Sequence, residues 1–256
     1  MLYGICHLSV VPIRLEPSDT SEMVTQVLFG EHLKVLEKRK KWSKIRIHFD
    51  NYEGYIDNKQ FLQISEDYYN ELSNQSPVYA GEMIDYIVDN NNKLSTLVIG
   101  SNLPFYNDKT LQILDTSFQY EGGVYKDELA KSEIVHKAYL FLNAPYLWGG
   151  KTPFGTDCSG FTQMVYKICG YSLKRDASQQ ATQGEVLSFI EESEPGDLAF
   201  FDNSEGVITH VGIIMNDYHI IHAHGNVRID RLDHTGIYNV DTKKHTHKLR
   251  VIKRVV

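Results

Sequence analysis

Short stretches of alternating apolar and polar residues fill the first quarter of the chain. Five of them have the length and composition of strands: residues 9–14, 25–30, 32–37, 42–47 and 52–57. The alternation is clearest in the third and fourth stretches, and the basic run Lys38-Arg39-Lys40-Lys41 between them predicts a solvated hairpin turn. Five short strands within about sixty residues are typical of a small β-barrel. We therefore predict a barrel at residues 1–64.

The pattern between residues 65 and 128 is weaker but has a similar scale. Strand-like stretches recur at residues 83–88, 96–99, 111–114 and 123–125. A polar loop at 73–77 and a turn at 89–93 interrupt them. Strand size and spacing predict a second small barrel as a divergent copy of the first, although the residues themselves do not repeat.

A helical pattern begins after residue 129. Residues 132–142 place apolar side chains on one helical face, with Ser132 as the predicted N-cap and Pro145 beyond the end. A polar helix is predicted at 177–184. Strands are then predicted at residues 198–202, 209–215, 218–223 and 249–252. Helices first and antiparallel strands afterwards indicate an α+β domain at residues 129–256.

A glycine-rich loop leads into a helix at Cys158. The loop reads Tyr146-Leu147-Trp148-Gly149-Gly150, and Gly155-Thr156-Asp157-Cys158-Ser159-Gly160 follows it. Apolar residues at helical spacing extend to Ile168, and Gly170 predicts the helix end. Cys158 is therefore predicted at a helix N-terminus, where unpaired N–H groups and the helix dipole favour a thiolate over a thiol.

Two histidines lie on the two strands of one predicted hairpin. A cysteine nucleophile needs a base within hydrogen-bond reach, and the base needs a third group that fixes its tautomer. We interpret Cys158 as the nucleophile, His210 as the base and His222 as the third group. A strict two-residue turn at Asn216-Asp217 would point the two histidines to opposite faces of the sheet. We therefore predict an odd-length loop, most simply at residues 215–217, or a β-bulge.

Composition narrows the class of protein. The formal net charge of -7 gives no basic footprint for nucleic acid, and no apolar run approaches the ~20 residues of a transmembrane helix. Three cysteines are too few for a disulfide framework, so Cys6 and Cys169 are expected to be buried. A zinc site of Cys158 and two histidines is an alternative, but the chain has no Cys-x-x-Cys or His-x-x-x-His pair, so neither a metal nor a cofactor is predicted.

These residues, in this order, resemble the NlpC-type cysteine peptidases of the bacterial cell wall, a papain-like family. The resemblance covers about residues 130–256 and rests on these motifs: Tyr146–Gly150, Gly155–Gly160, Pro195–Leu198, His210–Ile213 and His222. The first module resembles a bacterial SH3-like domain in residues 26–30, Trp42 and residues 52–56. The implied fold is α+β, with a papain-like C-terminal catalytic domain behind two small SH3-like β-barrels at 1–64 and 65–128.

The resemblance implies hydrolysis of the γ-D-glutamyl to diamino-acid bond in murein peptides. Two SH3-like modules resemble the three-domain branch of the family, which acts in peptidoglycan recycling on short peptides with a free N-terminal L-alanine. In that branch the first module closes one end of the cleft. A free ammonium needs a carboxylate there. The candidates for the closed end are Asp176, Glu16 and Glu22, with Tyr52 or Tyr55 lining the wall.

Other substrate contacts are predicted around the nucleophile. Asp157 and Ser159 flank Cys158, although Asp157 has an alternative role as the helix N-cap. Tyr146 and Trp148 are predicted either to cover the site or to pack within their loop. The branch has Arg-Asp and then a small residue after the cysteine helix, and Arg175-Asp176-Ala177 has that place. Ala177 replaces a serine sometimes found there, so its contact is expected from the backbone.

Two other functions remain open from the sequence. One is a non-catalytic murein-binding protein, and the other is a papain-like amidase or acyltransferase that acts on a lipid or another amide. No nucleic-acid or membrane partner is predicted, and a monomer is expected. If Met1 is the natural start, the N-terminal sequence predicts a cytoplasmic protein, whereas removal of a signal peptide would indicate a periplasmic or secreted one.

Overall fold

The computed structural model describes residues 2–216 and 218–256. The chain divides into two compact units, Met1–Asp127 and Glu128–Val256. The division between the units lies one residue before the predicted boundary between residues 128 and 129, and the predicted domains themselves stay predictions. The further division of the first unit at residue 64 stays a prediction.

The first unit is built almost entirely from strands. Its elements are β1 (Leu2–Ile5), β2 (Val10–Arg14), β3 (Met23–Leu28), β4 (His32–Lys38), β5 (Trp42–Ile47), β6 (Glu53–Asp57), β7 (Leu62–Ile64), α1 (Glu66–Asn74), β8 (Tyr79–Ala80), β9 (Ile84–Asp89), β10 (Leu94–Val98), β11 (Thr110–Ile113), β12 (Thr116–Gln119) and β13 (Val124–Tyr125). A seven-stranded sheet has the order β3-β2-β6-β5-β4-β1-β7, and a four-stranded sheet has the order β10-β9-β12-β11. All five strands predicted before residue 64 are present.

The two sheets of the first unit share a hydrophobic core. Tyr3 from the larger sheet and Phe29 in the turn after β3 belong to the same buried cluster as Ile87 and Leu111 from the smaller sheet. Helix α1, which the sequence did not predict, follows β7 in the chain and adds Tyr69 and Leu72 to this cluster. Ser65 caps the helix by accepting a hydrogen bond from the Tyr68 N–H. The shared core explains why the first half of the chain forms one unit.

The second unit combines short helices with a large sheet. Its elements are α2 (Ser132–Ala138), a 3-10 helix (Tyr139–Phe141), β14 (Lys151–Thr152), β15 (Gly155–Thr156), α3 (Cys158–Ile168), α4 (Ala177–Gln180), β16 (Glu185–Leu187), a 3-10 helix (Ile190–Glu192), β17 (Leu198–Asp202), β18 (Ile208–Ile214), β19 (His219–His224), β20 (Asn226–Leu232), β21 (Gly236–Asn239) and β22 (Lys244–Arg254).

Two predicted helices of this unit differ in their bounds. The N-cap of α2 is Lys131, so the prediction of Ser132 as the cap is wrong by one residue, and α2 ends well before Pro145. The predicted helix 177–184 is reduced to α4, which ends at Gln180. The chain turns at Gly184, where φ is +71°, a value that glycine adopts readily.

The strands of the second unit close into a barrel. The sheet has the order β16-β22-β17-β18-β19-β20-β21, and β22 also pairs with β21. Alternate residues therefore point inward, where an apolar cluster fills one end: Ala199, Phe201, Ile214, Ile220, Leu232, Ile237 and Ile252. Helix α3 packs against β18 and β19. Among the described residues, no helix is long and apolar enough to cross a membrane.

Candidate active site

Cys158 is the first residue of α3, as predicted. Asp157 is the N-cap, and its Oδ1 atom accepts a hydrogen bond of 2.7 Å from the Gly160 N–H. The Oδ2 atom accepts a second hydrogen bond, of 2.8 Å, from the Gly149 N–H. One carboxylate thus joins the glycine-rich loop to the first turn of the helix.

The guanidinium of Arg175 completes the surroundings of Asp157. Its Nη1 and Nη2 atoms lie 2.9 and 2.6 Å from Oδ1 and Oδ2 of Asp157, and Nη1 also donates to the Ser159 hydroxyl at 3.0 Å. Arg175 is 1% exposed. Both oxygens of Asp157 already hold these donors, and its alternative role as helix N-cap is present, while its substrate contact stays a prediction. The polar group of Ser159 is engaged in the same cluster.

The glycines of the two motifs allow their backbones to touch. A Cβ atom on Gly160 would lie 2.2 Å from the Gly150 carbonyl oxygen, and one on Gly150 would lie 2.3 Å from the Gly155 carbonyl oxygen. Real Cβ atoms do not approach backbone this closely, so any side chain would force the loop away from the helix. The motif glycines therefore fix the position of Cys158 relative to the loop.

His210 and His222 point to the same side of their strands. The register pairs Gly212 with His222, so His210 lies two residues along the same face. The His210 Nε2 and His222 Nδ1 atoms are 2.9 Å apart, which confirms the predicted orientation. The Met215 N–H donates to the His219 carbonyl oxygen at 2.8 Å, so the loop between these two residues has three positions, 216–218. The loop length is odd, as predicted, but the loop begins one residue later than predicted. The predicted loop residue Asp217 lies outside the described residues.

A carboxylate that the sequence did not predict extends the pair of histidines. Asp230 Oδ2 is 3.1 Å from His222 Nε2, and both side chains are fully buried. Arg228 Nε and Nη2 donate to Oδ2 and Oδ1 of Asp230 at 2.7 and 3.0 Å, and the Val240 N–H donates to Oδ1 at 3.0 Å. Arg228 on β20 pairs with His222 on β19. Asp230 lies two residues further along β20, so its side chain points to the same face of the sheet as His222.

The charge of Asp230 determines the tautomers of both histidines. Burial alone would raise the pKa of Asp230, but hydrogen bonds from His222, Arg228 and Val240 hold it below its usual range, so the group is a carboxylate. A carboxylate only accepts, so His222 carries its proton on Nε2 and accepts at Nδ1. His210 must then donate from Nε2, which leaves the Nδ1 lone pair as its proton acceptor.

Burial sets the protonation of His210 and Cys158. It lowers the pKa of His210 well below the usual range and raises the pKa of Cys158 to about 12, where the charge of Asp157 also contributes. Hydrogen bonds from the Val211 and Ser159 N–H groups oppose the rise at the thiol but do not cancel it. Burial of the thiol thus opposes the preference for a thiolate that was expected at the helix N-terminus. Each charge is disfavoured alone, so thiolate and imidazolium form together.

The sequence of this region assigns the site to a family. Residues 143–249 match the NlpC/P60 family, and residues 13–61 match the bacterial dipeptidyl-peptidase SH3 domain. The chain carries an NlpC/P60 domain. It is therefore one of the NlpC/P60 cysteine peptidases, with a bacterial SH3 domain in its first unit. A second SH3-like module and a papain-like fold stay predictions.

Similar proteins extend over most of the chain. The gamma-D-glutamyl-L-lysine dipeptidyl-peptidase of Bacillus cereus is 26% identical over 230 residues, covering 80% of this chain and 68% of that protein. Dipeptidyl-peptidase 6 of Lysinibacillus sphaericus is 27% identical over 247 residues, covering 85% and 87%. A solved NlpC/P60 family structure from Bacillus cereus covers 99% of both chains, with a TM-score of 0.82 and 20% identity. That likeness shows a shared fold.

The loop before the NlpC/P60 nucleophile exposes aromatic side chains. Trp148 is 59% exposed, and Tyr146 is 36% exposed. Burial of the phenol, with the nearby Cys158 and Asp157 groups, raises the pKa of Tyr146 to about 12. Tyr146 is therefore a neutral donor close to Cys158, while the substrate contacts predicted for Tyr146 and Trp148 stay predictions.

The predicted substrate residues beyond the cysteine helix lie beside the same cluster. Asp176 is the N-cap of α4, and its N–H donates to Gln179 Oε1 at 3.3 Å. Ala177 is the first residue of α4 and is buried. Because the adjacent Arg175 is bonded to Asp157 and Ser159, the segment that carries Asp176 is held next to the residues that flank Cys158.

The remaining predicted residues belong to the first unit. Glu16 and Glu22 lie in the loop between β2 and β3, and Tyr55 lies on β6, where its hydroxyl accepts from Arg39 at 3.3 Å. Tyr52 lies just before β6 and is half-buried. Their substrate contacts stay predictions. Within residues 2–216 and 218–256, no three His, Cys, Asp or Glu side chains form a group that could hold a metal ion.

Proposed function

We propose that this NlpC/P60 peptidase hydrolyses the γ-D-glutamyl to diamino-acid bond of short murein peptides that have a free N-terminal L-alanine. The observation that carries the chemistry is the chain of contacts from His210 through His222 to Asp230, together with Cys158 at the start of α3, whose Sγ atom lies 4.0 Å from the carbonyl oxygen of Thr209, the residue before His210. It contains a nucleophile, a base with a free acceptor nitrogen, and a fixed charge behind the base.

The first step is transfer of the thiol proton. His210 Nδ1 accepts the proton from Cys158 Sγ, and the thiolate attacks the γ-carbonyl carbon of the D-glutamyl residue. The imidazolium keeps its Nε2–H directed at His222 Nδ1, and His222 keeps its Nε2–H directed at the Asp230 carboxylate. The Asp230 charge thereby stabilises the cation through two aligned hydrogen bonds in a buried setting, where such bonds are strong.

The tetrahedral oxyanion needs donors that are already in place. The Cys158 N–H belongs to the first turn of α3, where backbone N–H groups have no partner within the helix. We assign the second donor to the hydroxyl of Tyr146, which remains neutral because its pKa is raised to about 12. His210 Nδ1–H then gives its proton to the leaving amine of the diamino acid. Water, deprotonated by His210, hydrolyses the thioester and restores Cys158.

Two observations support the substrate class. Both relatives described above are named dipeptidyl-peptidases, and one is named for a γ-D-glutamyl-L-lysine bond. The Arg175 bonds hold Asp176 near the nucleophile, where a carboxylate suits a free ammonium. Such peptides are released from murein and reach the cytoplasm during recycling, which we propose as the setting of the reaction.

The experiment is mass spectrometry of products from L-Ala-γ-D-Glu-diaminopimelate and from its L-lysine analogue. Release of L-Ala-D-Glu supports the proposal, and the relative rates identify the preferred diamino acid. The N-acetyl form of each peptide and purified sacculi test the free amine. We expect at least about 100-fold lower rates on both, because an acetylated amine would leave the carboxylate that it covers without its charged partner. Equal rates on all substrates would show an open cleft.

Cys158→Ala is the matched control for the chemistry. It removes only the sulfur from a buried position, so the fold is expected to remain while turnover and reaction with iodoacetamide both disappear. Turnover by this variant would exclude the cysteine mechanism. A folded wild-type protein that fails to react with iodoacetamide and cleaves no peptide would indicate a non-catalytic murein-binding protein.

A further inference from the structure

A third histidine lies against the proposed base. The ring of His247 on β22 stacks on the ring of His210, with 4.1 Å between centroids and 24° between planes. No other ring contact of His210 is as short: His222 meets it edge-on at 5.1 Å and Phe201 lies at 5.8 Å. His247 has no part in the hydrogen-bond chain to Asp230, so the mechanism above does not use it.

The barrel register explains how His247 reaches this place. Residue 247 pairs with Ile237 on β21, whose side chain belongs to the inner cluster, so His247 also points inward. The His247 ring is half-buried, and its Nδ1 atom is 2.9 Å from the Thr246 hydroxyl. Phe201 packs against it at 6.0 Å. The ring is thus fixed by its own strand and by β17.

We propose that His247 is a positioning residue, which holds the plane of the His210 ring so that Nδ1 of His210 faces Cys158. When His210 is protonated, the neutral ring of His247 stacked on its face also stabilises the imidazolium. The proposal rests on the proposed function only in giving His210 the role of base. A hydrogen bond at Nε2 fixes one edge of an imidazole but lets the ring tilt about that contact. A stacked ring on one face opposes the tilt, and a neutral ring attracts a cation placed over it.

The charge state of His247 suits this role near neutral pH. Burial, together with the neighbouring His222 and His224, lowers the pKa of His247 to about 4, although Asp230 opposes them. The ionisable groups that face it are His210 from β18, His222 and His224 from β19, and Asp230 from β20, whereas β17 and β21 contribute Phe201 and Ile237. Protonation below about pH 4 would place two cations face to face and disfavour the ion pair.

The test compares His247→Ala, which removes the ring, with His247→Phe, which keeps a flat ring but does not titrate. His245→Ala is the control, because His245 lies on the same strand but contacts Tyr238 and Asp233 instead of the site. We measure kcat and KM on the murein tripeptide, and separately the rate of Cys158 alkylation by iodoacetamide between pH 4 and 9. Thermal unfolding of each variant shows whether it is folded.

The expected loss for His247→Ala is about tenfold in kcat and in the alkylation rate at pH 7, with KM changed less than about twofold, as for removal of one aromatic stack. His247→Phe should retain at least about half of both rates and lose less alkylation below pH 5 than the wild type. His245→Ala should match the wild type. The proposal is overturned if a folded His247→Ala keeps wild-type rates, or if His247→Phe is as impaired as His247→Ala. Because alkylation needs no peptide, a wrong substrate assignment leaves this test intact.

Discussion

Replacing Asp230 by Asn tests whether the carboxylate behind the two histidines controls the base. Asp230 is surrounded by donors alone: His222 Nε2, two guanidinium nitrogens of Arg228 and the Val240 N–H lie within 3.1 Å of its oxygens. Asn has nearly the same shape but replaces one acceptor by an NH2 group. In either orientation, that NH2 group opposes donors that Asp230 now satisfies.

The size of the effect follows from the hydrogen bonds that change. If the NH2 group faces His222, the tautomer of His222 reverses, and His210 must place its proton on Nδ1, where it no longer accepts from Cys158. If the NH2 group faces Val240, the tautomers persist, but the charge that supports the imidazolium is lost. A buried hydrogen bond to a charged group is worth about 1.5–3 kcal/mol, and 1.36 kcal/mol corresponds to tenfold in rate. We therefore expect kcat to fall by about 10- to 100-fold.

The assay is steady-state hydrolysis of the tripeptide, with KM expected within about threefold because Asp230 lies behind the histidines and does not face the substrate. Asp233→Asn is the matched control. Asp233 also bonds to a histidine of this barrel, His245 at 2.9 Å, but that pair is exposed and unconnected to His210, so it contributes at most about 1 kcal/mol to stability. The reasoning is refuted if folded Asp230→Asn keeps kcat within twofold of the wild type, or if both variants lose activity equally.

Three further predictions concern stability. Arg175→Met leaves the buried Asp157 charge unpaired and should reduce the free energy of unfolding by about 3–5 kcal/mol in urea titrations; an unchanged midpoint would contradict the ion pair. Gly160→Ala should lower Tm and kcat together, because its Cβ would lie 2.2 Å from the Gly150 oxygen; wild-type values would contradict the close approach. Burial makes the pKa values of His210 and His222 lower in the folded state than in the unfolded state. The stability that these neutral histidines contribute is therefore present above about pH 6.5 and is lost as the pH falls. Tm should accordingly decrease from pH 7 to pH 5.

Local signals made the start of the site predictable. An N-capping aspartate at 157, apolar spacing up to Ile168 and a glycine at 170 all appear in the sequence within about a dozen residues. The structure agrees: α3 runs from Cys158 to Ile168, and Gly170 has a positive φ. The orientation of His210 and His222 was also predictable, because strand parity converts loop length into a choice of face. Both inferences needed only neighbouring positions along the chain.

Features that depend on burial or on distant pairing were not predictable. Asp230 was missed because its strand, β20, was not predicted. In the sequence, a single aspartate among apolar residues has the pattern of a solvent-facing residue on an edge strand. A sequence signal did exist, since Val227 and Ile229 alternate with Arg228 and Asp230. The raised pKa of Cys158 was missed for a related reason: it depends on how deeply the thiol is buried, which no local sequence pattern reports.

The closure of the barrel by β22 has a consequence for association and local opening. Each of the described strands β17 to β22 has a hydrogen-bonded neighbour on both sides, so none of them offers an unpaired backbone edge to another chain. A strand can leave this ring only by breaking two ladders at once. Amide protons on β18 and β19, which carry the two histidines, should therefore exchange with solvent only when the whole unit unfolds.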